Sequence, residues 1–203
     1  MNPDHLATYF KQYLERPSIF KDRKVLQPNH TPDVVLHRET QMDHIASVLA
    51  PALRREKPNN LFIYGKTGTG KTLSITSTAT QLQTVADHQH VPVKIIYTNC
   101  KLKKVADTEY RLVAELARHF GKDIPSTGLP TDDVYRQFYH SLEEHAGTVI
   151  LILDEIDQLT GKSGNELLYN LTRINSELKK STISIVGISN DLLFTEQLDP
   201  RVK

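Results

Sequence analysis

Residues 61–72 read Leu-Phe-Ile-Tyr-Gly-Lys-Thr-Gly-Thr-Gly-Lys-Thr: a short apolar strand that runs directly into a glycine-rich loop. The spacing G-x-x-x-x-G-K-[ST] is filled by Gly65, Gly70, Lys71 and Thr72, and it predicts a phosphate-binding loop between a strand and a helix. Glycines let the backbone curl so that successive N–H groups point at phosphate oxygens. The cradle expected here is Gly65, Lys66, Thr67, Gly68, Thr69, Gly70, Lys71, Thr72 and Leu73, with Lys71 reaching the β- and γ-phosphates and the Thr72 hydroxyl binding Mg²⁺. A helix starting near Gly70 adds its positive N-terminal dipole. A glycine- and threonine-rich surface turn shares this composition, but not the strand before it and the helical stretch after it.

Two further strands carry polar residues at their ends. Residues 148–155 read Thr-Val-Ile-Leu-Ile-Leu-Asp-Glu. An unbroken apolar run of this kind marks a strand buried on both faces, as in a parallel sheet. After a phosphate loop, the first acid, Asp154, is expected to hold Mg²⁺, and the second, Glu155, to polarise a water for attack on the γ-phosphate. Acids also terminate strands and cap helices, which is the better reading of such a pair in isolation. Ile183–Ser189 is the other strand, with Asn190 just beyond it. Ligands of open α/β sheets lie past the carboxyl ends of the strands, so Asn190 is placed to meet the attacking water or the γ-phosphate. The alternative is an ordinary turn asparagine.

The chain has 203 residues, enough for one α/β domain with a real core. A net charge of +1 does not point to nucleic acid, though it leaves room for a local basic surface. The single cysteine, Cys100, excludes an intrachain disulfide framework and suits a reducing cytoplasm. It reads as a small buried residue rather than a nucleophile. His88 and His90 lack further ligands nearby, so no structural zinc is expected. No apolar run reaches transmembrane length and residues 1–25 are unlike a signal peptide, so no membrane partner is expected.

Along the chain, residues 1–31 predict a short helix and an extended arm. Residues 32–203 read as one core. A helix is expected over about Glu39–Arg55, open to a kink at Pro51, and another over about Lys71–Val85. A strand follows at 93–98, then a helix over 107–120 capped by Asp107 or Thr108 and stopped by Gly121. Thr131 or Asp132 is expected to cap a helix reaching about His145. A turn is expected at Gly161–Gly164, with a helix from Asn165 to Leu178. The strand–helix alternation is that of a doubly wound parallel sheet.

With these residues in hand, the sequence resembles the AAA+ ATPases of the archaeal origin-recognition and cell-division-control initiator family. The stretches that carry the resemblance are His37–Glu39, Pro58–Thr72, Asn99-Cys100, Gly128–Tyr135, Leu153–Asp157, Gly187–Leu192 and Leu198–Val202. The resemblance runs from about residue 15 to the end. It implies an α/β P-loop AAA+ core, a parallel sheet flanked by helices, that binds ATP or ADP with Mg²⁺. It further implies an ATPase that turns over slowly, as a switch, in a replication initiator. Such an initiator binds double-stranded origin DNA, helps recruit the MCM helicase and acts with other initiator subunits, in the cytoplasm at the nucleoid. By the same resemblance Val34, His37 and Arg38 flank the adenine. Asn190 takes the sensor-1 position, and Arg201 that of the arginine finger, which completes a neighbouring subunit's site. The region between the second and third strands matches a DNA-touching helix of initiators. Lys101, Lys103, Lys104 and Arg111 are either phosphate contacts or a solvated face.

Members of that family continue past the segment matched by 198–202 with a fifth core strand, a helical lid and a winged helix. The chain is therefore expected to be an N-terminal portion without them. In the AAA+ strand order 5-1-4-3-2, this leaves the 61–65 strand at an apolar sheet edge. Two other functions fit the same residues: a nucleotide-dependent protein-interaction module with negligible hydrolysis, and a clamp-loader-like AAA+ ATPase.

Overall fold

The computed structural model describes residues 3–27, 35–101, 109–125, 128–159 and 162–197. The chain divides into two compact units, Met1–Val34 and Val35–Lys203. In the first, helix α1 (Pro3–Glu15) presents Leu6, Tyr9, Phe10, Tyr13 and Leu14 as exposed apolar side chains. A single 3₁₀ turn follows at Lys24–Leu26.

The second unit is built on four parallel strands: β1 (Leu61–Tyr64), β2 (Val93–Asn99), β3 (Thr148–Asp154) and β4 (Thr182–Ser189). Their spatial order, β1-β4-β3-β2, is the one expected for these four strands, with β1 at one edge. Every residue of β3 is buried, as its unbroken apolar run requires of a central parallel strand.

Side-chain alternation divides the core in two. Val149, Leu151 and Leu153 pack with Leu112, Leu116, Phe138, Leu142 and Leu171 on one face. These come from α4 (Glu109–Arg118), α5 (Thr131–His145) and α6 (Lys162–Arg173). Ile150 and Ile152 pack with Ile45, Leu49, Ile75, Ala79 and Leu82 on the other face, from α2 (Glu39–Leu49) and α3 (Lys71–His88). The same parity puts Asp154, Asn190 and Tyr97 on the α3 face, and this assembles the site described below.

Helix α3 packs on the sheet despite its many hydroxyls, because Ser74, Thr76, Thr78, Thr80 and Thr84 each return a hydrogen bond to the carbonyl four residues earlier. The Gly128–Tyr135 stretch has a structural use. The buried Tyr135 hydroxyl donates to Glu109 Oε1 at 2.5 Å and Asn170 Nδ2 donates to the same oxygen at 3.1 Å, tying α5, α4 and α6 together.

Several boundaries differ from expectation. Helix α2 stops at Leu49 and tightens into a 3₁₀ segment, Ala50–Arg54, with Pro51 in its first turn, where a missing N–H costs nothing. Thr131 does not cap α5. It is the first helical residue, Pro130 stands at the cap position, and no side chain caps the helix. Of the expected turn at 161–164, residues 162–164 fall within α6, which starts at Lys162 and gives way at Ile174 to a 3₁₀ turn, while Gly161 lies outside the described residues. Gly164 is there for close approach: a Cβ on it would lie 2.1 Å from the Leu159 carbonyl oxygen. For α4 the described helix is Glu109–Arg118, and the expected caps Asp107 and Thr108 lie outside the described residues. Gly121, at φ +80°, follows α4, as the stop signal required. Helix α7 (Phe194–Gln197) is anchored by the stacking of buried Phe194 on Phe62, 5.8 Å between ring centres.

Candidate nucleotide-binding site

The loop after β1 turns through Gly68 and Gly70, at φ +79° and +81°, a region that L side chains enter at a cost. Gly70 is the N-cap of α3 and the helix has no acidic residue in its first turn. The first helical bond runs from the Ser74 N–H to the Gly70 carbonyl at 2.9 Å. The amides of Lys71, Thr72 and Leu73 precede it and are the donors of the first turn that the helix itself leaves without a partner. The donor set is that of an anion cradle: backbone amides, a helix terminus and one ammonium.

The Lys71 ammonium donates to the Gly65 and Lys66 carbonyls at 2.7 and 2.9 Å and to Asn190 Oδ1 at 2.9 Å. The cation expected to meet the terminal phosphates and the amide expected beside them thus share a hydrogen bond. Thr69 Oγ1 closes the loop onto the Lys66 carbonyl at 2.9 Å. Thr67 is exposed, between the two.

At the end of β3, the Thr72 hydroxyl donates to Asp154 Oδ2 at 2.9 Å. The two residues expected to hold Mg²⁺ are therefore in contact, and a hydroxyl paired with a 5 % exposed carboxylate is an oxygen donor set suited to that hard cation. Two more donors converge on Asp154. Tyr97 Oη reaches Oδ2 at 2.7 Å from β2, and the Glu155 N–H reaches Oδ1 at 2.8 Å. Burial, reinforced by the bond to Asp154, raises the Tyr97 phenol well above its ordinary value. Glu155 adopts a left-handed conformation, φ +52°, that turns the chain sharply off the strand. Its carboxylate pairs with the exposed Lys101 ammonium at 3.3 Å.

Asp157 organises the next turn. Its Oδ1 accepts the Ser189 hydroxyl at 2.8 Å and the Asn190 backbone N–H at 3.1 Å, joining the ends of β3 and β4. Burial alone would raise this carboxyl, but hydrogen bonds from Gln158, Ser189 and Asn190 outweigh it and hold it below its usual value. The role of Asp157 follows from the sequence only once β3 and β4 are known to be neighbours.

Arg38 precedes α2, partly buried, with Nε 3.8 Å from where a Cβ on Gly70 would stand. His37 is exposed at φ +60°, its N–H donating to Glu39 Oε1 at 3.3 Å. Val34 and Arg201 lie outside the described residues, as do Lys103 and Lys104. Lys101 is paired with Glu155, and Arg111 is partly buried on α4. Cys100 is buried as expected, and burial next to Asp154 pushes its thiol up to about 12. Among the described residues, no helix is long and apolar enough to cross a membrane.

Residues 54–192 match the family model described as AAA domain. The chain is 48 % identical over 194 residues to the ORC1-type DNA replication protein 1 of Methanosarcina mazei, covering 96 % of this chain and 46 % of that relative. It is 45 % identical over 206 residues to the ORC1-type DNA replication protein of Thermococcus kodakarensis, covering 100 % of this chain and 49 % of that protein. Among solved structures, the Aeropyrum pernix ORC1 protein in complex with DNA superposes with a TM-score of 0.80 at 44 % identity, covering 90 % of this chain and 46 % of that one. The chain spans about half the length of the curated relatives it matches. The chain therefore belongs to the AAA domain family, and it is similar, over nearly all its length, to ORC1-type DNA replication proteins.

Proposed function

We propose that this chain binds and slowly hydrolyses ATP as part of a replication initiator that engages double-stranded origin DNA and helps recruit the MCM helicase. The observation that carries the nucleotide reading is the convergence of Lys71 with Asn190 and of Thr72 with Asp154 at the carboxyl ends of three parallel strands. The 65–73 amides and Lys71 bind the phosphates, and Val34, His37 and Arg38 flank the base. Thr72 and Asp154 hold Mg²⁺, which when bound neutralises charge on the β- and γ-phosphate oxygens. Glu155 accepts the proton of the attacking water, Asn190 orients that water or the γ-phosphate, and Arg201 serves a neighbouring subunit. Origin DNA and MCM as partners rest on the likeness to ORC1-type proteins, one of which was solved with DNA.

Single-turnover hydrolysis of Mg·ATP, compared between the native chain and Glu155→Gln, tests the enzymatic part. Slow hydrolysis that vanishes in the variant is expected. A second reading, a nucleotide-dependent interaction module with negligible hydrolysis, is favoured by one feature: the exposed Lys101 ammonium pairs with the carboxylate that would act as base. Equal, background-level turnover in both proteins would select that reading. The DNA part predicts that a protein carrying this core binds an origin duplex with affinity falling steeply as salt rises. Absence of duplex binding would direct the assignment toward a clamp-loader-like ATPase.

A further inference from the structure

Asp154 accepts from three donors at once, and one of them has no place in the loop-and-acid machinery. Asn99 on β2 is in register with Asp154 on β3, and Tyr97 with Ile152. Tyr97 therefore shares the α3 face with Asp154 and lies diagonally behind it, a distance that an aromatic side chain spans. The ring is not a core residue: it is 40 % exposed, along the cleft between α3 and β2. What it places inside is its hydroxyl, 2.7 Å from Asp154 Oδ2, the oxygen that also accepts the Thr72 hydroxyl at 2.9 Å. Oδ1 is occupied by the Glu155 N–H at 2.8 Å. With donors on both oxygens, the carboxylate plane is fixed relative to Thr72.

We propose that Tyr97 is a positioning residue for the Mg²⁺ site, its hydroxyl fixing the Asp154 carboxylate in the orientation that presents it, beside Thr72, to the metal. This rests on the nucleotide reading above and adds to it an outer-shell residue that no phosphate-loop or strand-end motif contains. Outer-shell partners of this kind orient the ligating group without touching the metal. Their removal lowers metal affinity by about 10–100-fold. On that reading the phosphates are held by the 65–73 amides and Lys71, whereas the Tyr97 hydroxyl bonds Asp154, so phosphate binding without metal should not depend on that hydroxyl.

The test is ADP binding by the native chain and Tyr97→Phe, measured calorimetrically in EDTA and over a series of Mg²⁺ concentrations. Phenylalanine keeps the ring and removes only the hydroxyl. The expected result is equal ADP affinity in EDTA and a Mg²⁺ midpoint raised about tenfold or more in the variant. Equal midpoints would overturn the proposal. So would a parallel loss of affinity with and without Mg²⁺, which would make Tyr97 a packing residue for the loop. Failure of the native chain to bind ADP under either condition would overturn the nucleotide reading itself, and this proposal with it.

Discussion

The Lys71 ammonium and the Asn190 side-chain oxygen, 119 positions apart in sequence, lie 2.9 Å from each other. The contact joins the start of α3 to the end of β4, two elements brought together because β1 and β4 are adjacent in the sheet. On the proposed nucleotide reading, it places a donor amide next to the cation where terminal phosphate charge would develop. Replacing Asn190 by Ala is predicted to slow single-turnover hydrolysis by about 10²–10³-fold, the usual cost of one preorganised donor. ATP affinity should change far less, since the loop amides are untouched. A loss of ATP affinity with the single-turnover rate at saturation unchanged would show that Asn190 contributes only to ground-state binding.

The Lys101–Glu155 pair makes a prediction in the opposite direction. The lysine is exposed, so the pair is weak and screened by salt. Lys101→Ala should raise turnover by no more than about fivefold, the kinetic equivalent of such a pair, and the gain should shrink with added salt. A loss of turnover would instead give Lys101 a direct part in the site.

Asp157 supplies a pH test. Its carboxyl titrates below its usual value in the folded chain, so the charged form is favoured by folding. Its contribution is present above the unfolded carboxylate range, about pH 4, and is lost as pH falls through the lower folded value. In urea unfolding, Asp157→Asn should therefore be less stable than the native chain at pH 6, with the gap narrowing below pH 4. A pH-independent gap would mean that the bonds to Ser189 and Asn190 do not depend on charge.

Gly147 tests the packing that sets β2 against β3. A Cβ there would lie 2.1 Å from the Pro92 carbonyl oxygen, which accepts the Thr148 N–H at 2.9 Å. Gly147→Ala should cost about 1–3 kcal/mol, read as a melting-temperature drop of roughly 2–4 °C per kcal/mol. No change in melting temperature would mean that the strand entrance relaxes freely.

Much of this arrangement was legible because it is local. The strand–loop–helix unit at 61–72 and the unbroken apolar run 149–153 of β3 announce themselves within a dozen residues, and alternation then decides the face of Asp154. Where a residue's meaning depends on its spatial neighbour, the sequence is silent. Tyr97 is one tyrosine among the apolar residues of β2 until β2 is placed against β3. Asp157 is a third acid in a turn until β4 lies next to it. Lys101 reads from the sequence as either a phosphate contact or a solvated charge, and its pairing with Glu155, set by the left-handed turn there, is visible only in the fold. The start of α6 is not legible because Gly164 reads as a turn residue in the sequence, whereas its lack of a side chain serves contact with Leu159.

The most direct test of the account is equilibrium binding of Mg·ATP by the purified chain, titrated in parallel with Lys71→Ala. Saturable binding lost in the variant is the predicted result, because Lys71 is the only ammonium bonded to the loop carbonyls and to Asn190 among the described residues. A folded native chain that binds no ATP, or a Lys71→Ala variant that binds it equally well, would contradict the claim that this loop is a nucleotide site.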